Sequence, residues 1–93
     1  MKKQQTNDAE ATALQALAWT LAEESRAARL LALTGLSPAD LRARIGEPDL
    51  LAAALRFLEG HEPDLLACAE ALGIAPLQLV DARRTLEAWA GRS

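Results

Sequence analysis

Few side chains in this sequence could do chemistry. Cys68 and His61 are its only cysteine and histidine, and together they suggest a thiol nucleophile with a general base. No third residue is evident to orient the imidazole. Cys68 also falls one turn inside an apolar helical segment, beside Leu65, Ala69 and Leu72. A small cysteine in that setting packs rather than reacts. One thiol cannot close an internal disulfide, and one thiol with one imidazole cannot supply the four protein ligands of a zinc site. No glycine-rich phosphate loop and no metal-ligand spacing occurs. The expectation is a non-enzyme with no catalytic residue, no metal and no cofactor.

A second candidate is nucleic-acid recognition. In Leu65-Leu66-Ala67-Cys68-Ala69-Glu70-Ala71-Leu72-Gly73-Ile74-Ala75-Pro76-Leu77-Gln78-Leu79 a small residue lies four before the glycine, and apolar residues follow it at one and six positions. That is the spacing of a helix-turn-helix, whose small residue lets the helices approach and whose glycine makes the turn. The second helix, however, opens on Pro76, Leu77, Gln78, Leu79 and Val80, of which only Gln78 could read a base edge. Arg83 and Arg84 come later and are offset by Asp81 and Glu87. Gly35-Leu36-Ser37-Pro38 and Gly73-Ile74-Ala75-Pro76 also resemble a phosphate-gripping helix-hairpin-helix. Ser37 and Ala75 stand where its second glycine belongs, and a Cβ there obstructs a phosphate. Ten basic against thirteen acidic residues, net −3 with pI near 5.0, add no electrostatic pull toward nucleic acid.

The acids have a simpler account. Asp8, Glu10, Asp40, Asp49, Glu62 and Asp64 all fall at expected helix starts, where they complement the helix dipole. What remains is surface. Trp19 and Trp89 are the only large amphipathic anchors, and tryptophan concentrates binding energy at protein interfaces. Trp19, Trp89, Arg83 and Arg84 are therefore the candidate partner-interface residues, with core burial of Trp19 as the structural alternative.

The elements behind these residues are helical. Ala and Leu fill 39 of 93 positions, whereas Val, Ile and Thr supply only eight, too few for a sheet. Residues 1–6 are expected as a flexible polar tail and 7–91 as one helical domain. Asn7 with Glu10 predicts a capped start for a first helix over about 8–22, with Leu14, Leu17, Ala18 and Leu21 on its core stripe and Trp19 off it. Ser25 predicts the cap of a second helix over 26–34, stopped by Gly35 with Leu36 completing a Schellman-type end. Ser37-Pro38-Ala39-Asp40 opens a short third helix to Ile45, packing Leu41 and Ile45. Glu47-Pro48-Asp49 opens a fourth, to Glu59, presenting Leu51, Ala54, Leu55 and Leu58 with Leu50 and Phe57 widening the face. Glu62-Pro63-Asp64 opens a fifth, and Pro76 a sixth that presents Leu79, Ala82, Leu86 and Trp89. Glu24, Gly35, Leu36, Pro38 and Leu41 recur 38 residues on as Glu62, Gly73, Ile74, Pro76 and Leu79, read as one turn chemistry used twice.

The run Leu33-Thr34-Gly35-Leu36-Ser37-Pro38-Ala39-Asp40-Leu41-Arg42 resembles a motif of a bacterial family of helical proteins, the domain of unknown function 3572. So do Ala13-Leu14-Gln15-Ala16-Leu17-Ala18 and Leu51-Ala52-Ala53-Ala54-Leu55-Arg56-Phe57-Leu58. The resemblance runs from about Ala9 to about Leu86. It implies a fold and no catalytic residue.

Together these readings give an all-α, single-domain, compact orthogonal bundle of five to six short helices. No leader-like apolar segment follows Lys2-Lys3, and no run of about 18 uncharged apolar residues occurs, so the expected address is the cytoplasm, with no membrane contact. The expected role is a non-enzymatic protein–protein interaction or self-association module, its partner unknown. The alternative is weak nucleic-acid binding through the last two helices.

Overall fold

The computed structural model describes residues 4–92, and their local signals resolve into six helices with no strand among them. These are α1 (Gln4–Leu21), α2 (Glu24–Thr34), α3 (Pro38–Ala43), α4 (Pro48–Glu59), α5 (Glu62–Leu72) and α6 (Pro76–Arg92). Residues 1–3 of the expected tail lie outside the described residues, and residues 4–6 already belong to α1. Asn7 therefore lies within the helix and does not cap it.

Proline and capping chemistry fix the later starts. Ser37 Oγ accepts from Asp40 N–H while an Asp40 carboxylate oxygen accepts from Ser37 N–H, a closed capping box ahead of Pro38 at the first helical position. Pro48 likewise takes the first helical position of α4, although its N-cap Glu47 makes no side-chain cap bond. In α5 the proline comes one residue later, since His61 is the N-cap and Glu62 the first helical residue.

The two glycine stops look alike in sequence and close differently. Both glycines are left-handed, with φ of 73° at Gly35 and 72° at Gly73. At Gly73 the N–H of Ile74 reaches back to Ala69 O and that of Gly73 to Glu70 O, the two bonds of a Schellman end. At Gly35 the single bond runs from Gly35 N–H to Leu31 O. The Leu36 N–H goes instead to the Thr34 hydroxyl, which itself donates to Leu30 O. The expected Schellman end at Gly35 is thus replaced by a simpler left-handed cap, because Thr34 supplies an acceptor that Leu72 lacks at the matching place.

Helices α1, α4 and α6 pack on one another as the centre of the fold. Seven of the twelve residues of α4 are buried: Leu50, Leu51, Ala52, Ala54, Leu55, Phe57 and Leu58. α5 closes against all three central helices, and α2 lies on α1 and α4. α3 buries only Leu41; it ends at Ala43, two residues short of the expected end, and leaves Ile45 40% exposed where packing was expected. The Arg44 N–H turns back to Asp40 O and Leu41 O, and Glu47 N–H to Arg44 O, which closes this segment as turns.

The core face of α1 keeps Leu17 and Leu21 of the expected stripe but is turned away from Leu14 and Ala18. Ala9, Ala13, Ala16, Leu17 and Thr20 are buried, whereas Leu14 is 38% exposed and Ala18 exposed. Alanines at successive turns let α1 approach its neighbours closely. Buried Thr20 satisfies its hydroxyl within the helix, donating to Ala16 O at 2.9 Å. The start of α2 also moves. Glu23 is the N-cap and makes no side-chain cap bond, so Ser25 sits inside the first turn.

Among the described residues no single helix is long and apolar enough to cross a membrane. α5 and α6 reach that length only as a pair bent by 99°.

Candidate interaction surface

The thiol and imidazole do not form a catalytic pair. Cys68 is fully buried, and burial pushes its thiol up to about 11 from an ordinary value of 9.0, a change that the Arg26 charge opposes. At neutral pH the sulfur is protonated and walled in. His61 is an exposed N-cap, seven residues and so about 10 Å along the helix from Cys68. Among the described residues no group of three or more His, Cys, Asp or Glu is placed to hold a metal ion.

Helices α5 and α6 meet at 99° through the left-handed Gly73, the crossing a helix-turn-helix requires. Of the side chains that could read nucleic acid on α6, Arg83 is engaged elsewhere and Gln78 is held through its oxygen. Gln78 Oε1 accepts from Ala75 N–H at 2.9 Å, tying that side chain to the helix start. Arg83 grips Glu59 of α4 with two nitrogens, at 2.6 and 3.1 Å, and Glu87 of its own helix at 2.8 Å. These bonds raise its pKa above the ordinary value, the hydrogen bond to Glu59 foremost. Arg84 is exposed, 3.8 Å from Asp81. Leu77 leads α6 and is 61% exposed.

The four candidate interface residues do not share one setting. Trp19 is half-buried, packed against the core, and the Arg26 guanidinium lies 3.6 Å above its ring. Trp89 is 38% exposed near the end of α6. Arg83 joins α4 to α6, and Arg84 faces solvent.

A different face gathers more. α4 buries most of its circumference but leaves a stripe at Asp49, Ala53 and Arg56, spaced i, i+4, i+7. On one side of this ridge is an open groove of about 500 Å³, lined with α2 residues Leu33 and Thr34, with Leu36, Arg44, Leu50 and Phe57. On the other is a groove of about 270 Å³ toward α6, lined with Ala52, Glu87 and Ala90. Both share Asp49, Ala53 and Arg56. Leu33 is 75% exposed, the most exposed large hydrophobic side chain among the described residues. The rim is ionic and mixed in sign: Arg44 reaches Glu47 at 2.8 Å and Asp49 at 3.4 Å, and Arg56 reaches Glu87 at 2.6 Å. Sequence reading missed this face. The signal was present as a small-and-charged stripe interrupting a helix that is otherwise apolar all round.

A family described as "Protein of unknown function (DUF3572)" matches residues 6–88, and the chain belongs to that family. No curated protein and no solved structure matches the chain.

Proposed function

We propose that this member of the DUF3572 family is a non-enzymatic protein–protein interaction or self-association module that works through the α4 face between its two grooves. One observation carries the reading: Leu33, 75% exposed, stands at the edge of a groove of about 500 Å³ lined by Leu36, Leu50 and Phe57. A lone exposed leucine is ordinary, but an apolar side chain beside an apolar groove with a charged rim has the make-up of a binding patch. The protonated, buried state of Cys68 supports a role without catalysis.

Nucleic-acid binding by α5 and α6 has less behind it, because Arg83 is committed to Glu59 and Glu87 and the Gln78 side chain is tied through its oxygen to the start of α6. The interaction reading is tested by replacing Leu33 with a photo-crosslinking residue in cells that make the protein. Covalent adducts are expected from that position and not from Gln15, exposed on α1. Adducts in equal yield from both positions, or from neither, would remove the reading.

A further inference from the structure

We propose that the α4 face is occupied by a second copy of the same chain, its α4 antiparallel to the first about a two-fold axis near Ala53. The proposal rests on the interaction reading above and names its partner.

The stripe itself carries the argument. Asp49 lies in the first turn of α4, Arg56 in the last, and Ala53 between them. From Asp49 to Arg56 is seven residues, about 10 Å along the helix. Reversing the direction of a second α4 brings Arg56 of each copy opposite Asp49 of the other. Ala53 then meets Ala53, with no long side chain to hold the backbones apart. A two-fold interface must present the same patch from both sides, and a stripe with an anion at one end, a cation at the other and a small residue at its middle meets that condition.

Exposure and shape agree. The Asp49 and Arg56 side chains remain 63% and 65% exposed despite their internal ion pairs with Arg44 and Glu87. A two-fold axis normal to the plane of the paired helices keeps like flanks together, so Leu33 of each copy approaches the α2–α4 groove of the other. Each exposed leucine thereby gains an apolar groove.

Rim charge selects this occupant over an acidic peptide. Arg44 is offset by Glu47 and Asp49, and Arg56 by Glu87, so the face holds no excess of positive charge. Its mixed pattern is complementary to its own reverse. A standard interface takes about 800 Å² from each partner, about one-seventh of the 5515 Å² surface here, and the broad side of the molecule measures 37 by 28 Å.

The test is sedimentation equilibrium on the full chain, with circular dichroism to verify helix content in every sample. The mass should rise from 9.9 kDa toward twice that value with concentration. Asp49→Arg and Arg56→Asp should each weaken association by about tenfold or more, since each sets like charges opposite one another at both contacts. Mixed together, these two variants should associate one-to-one, because both crossed contacts then have opposite sign. A chain at 9.9 kDa up to millimolar concentration would overturn the proposal, as would single variants that associate like the parent or a mixture that does not pair. If the chain stays monomeric while a crosslinker at Leu33 captures a different protein, the second copy is excluded and the interaction reading stands.

Discussion

The Arg26 guanidinium lies 3.6 Å above the Trp19 ring and also donates a hydrogen bond to the Trp19 carbonyl oxygen. That carbonyl is one of the last four of α1, which have no partner within the helix. A residue of α2 thus closes the end of α1, and a further bond to Glu23 at 3.1 Å ties it to the short link between them. The arrangement also explains why α2 begins before Ser25: its first turn is held by Arg26 reaching backward, and no side-chain cap is required. The cost is local, since Arg26 Nε is buried without a hydrogen-bond partner. For Trp19 to anchor a partner through its ring face, Arg26 would have to swing away.

Arg26→Ala should therefore destabilise the protein by about 1–2 kcal/mol, the worth of a partly desolvated cation–π contact together with a charge-assisted hydrogen bond. Arg26→Lys should fall between, because a compact ammonium cannot stack and bond the carbonyl at once. In a Trp89→Phe background, Arg26→Ala should also shift Trp19 emission to the red as water reaches the ring. Denaturant unfolding with unchanged midpoint and emission would show that the stack contributes nothing.

The contrast between neighbours Arg83 and Arg84 is equally sharp. The Arg83 side chain is 17% exposed and forks onto both Glu59 oxygens, joining α4 to α6. Arg83→Met should cost about 1–3 kcal/mol, because it leaves a half-buried Glu59 without its cation. Arg84, two-thirds exposed and 3.8 Å from Asp81, should tolerate Ala within about 0.5 kcal/mol. Thermal unfolding of the two variants in parallel decides it; equal effects would mean that the Glu59 clasp adds no stability.

Cys68 should give the protein an alkaline weakness. Its folded thiol holds its proton up to about 11, while the unfolded thiol loses it near 9. Between these values the unfolded state releases a proton that the folded state keeps, so stability falls as pH rises through that window. By the upper end of the window the loss amounts to roughly 2 kcal/mol. Cys68→Ala should lower stability at pH 7 by about 1–2 kcal/mol through the lost sulfur contacts and should flatten the alkaline slope. Guanidinium unfolding at pH 7.5, 9 and 10.5 separates the two effects, and a slope equal to the parent's would acquit the thiol.

What was legible in the sequence was local. Ser37-Pro38-Ala39-Asp40, Pro48, Glu62-Pro63 and Pro76 act through backbone geometry within four residues, and α3 through α6 begin where those signals stand. Gly35 and Gly73 were legible as stops for the same reason, although only contact with Thr34 decided how each stop closes. The start of α2 was not legible, because it depends on Arg26 reaching seven residues back to Trp19. Nor was the α4 face. Asp49 served the helix dipole and Ala53 and Arg56 were ordinary surface residues until α2 and α6 settled on either side and made grooves of the gaps.

The core face of α1 takes in Leu17 and Leu21 as expected but not Leu14, for a reason that makes its own prediction. Hydrophobicity favours the side with Leu14, yet the fold buries Ala13 and Ala16 completely and leaves Leu14 38% exposed. Close approach of α1 to α4 and α6 is satisfied by side chains that end at Cβ, and a larger residue there must push a helix outward. Ala16→Leu should therefore destabilise by about 1–3 kcal/mol despite added apolar surface. Leu14→Ala should cost less than about 1 kcal/mol, since much of that side chain already meets water. This order is the reverse of what side-chain hydrophobicity alone dictates. Chemical denaturation of both variants measures it, and a stabilised Ala16→Leu would mean that α1 sits farther from its neighbours than its buried alanines imply.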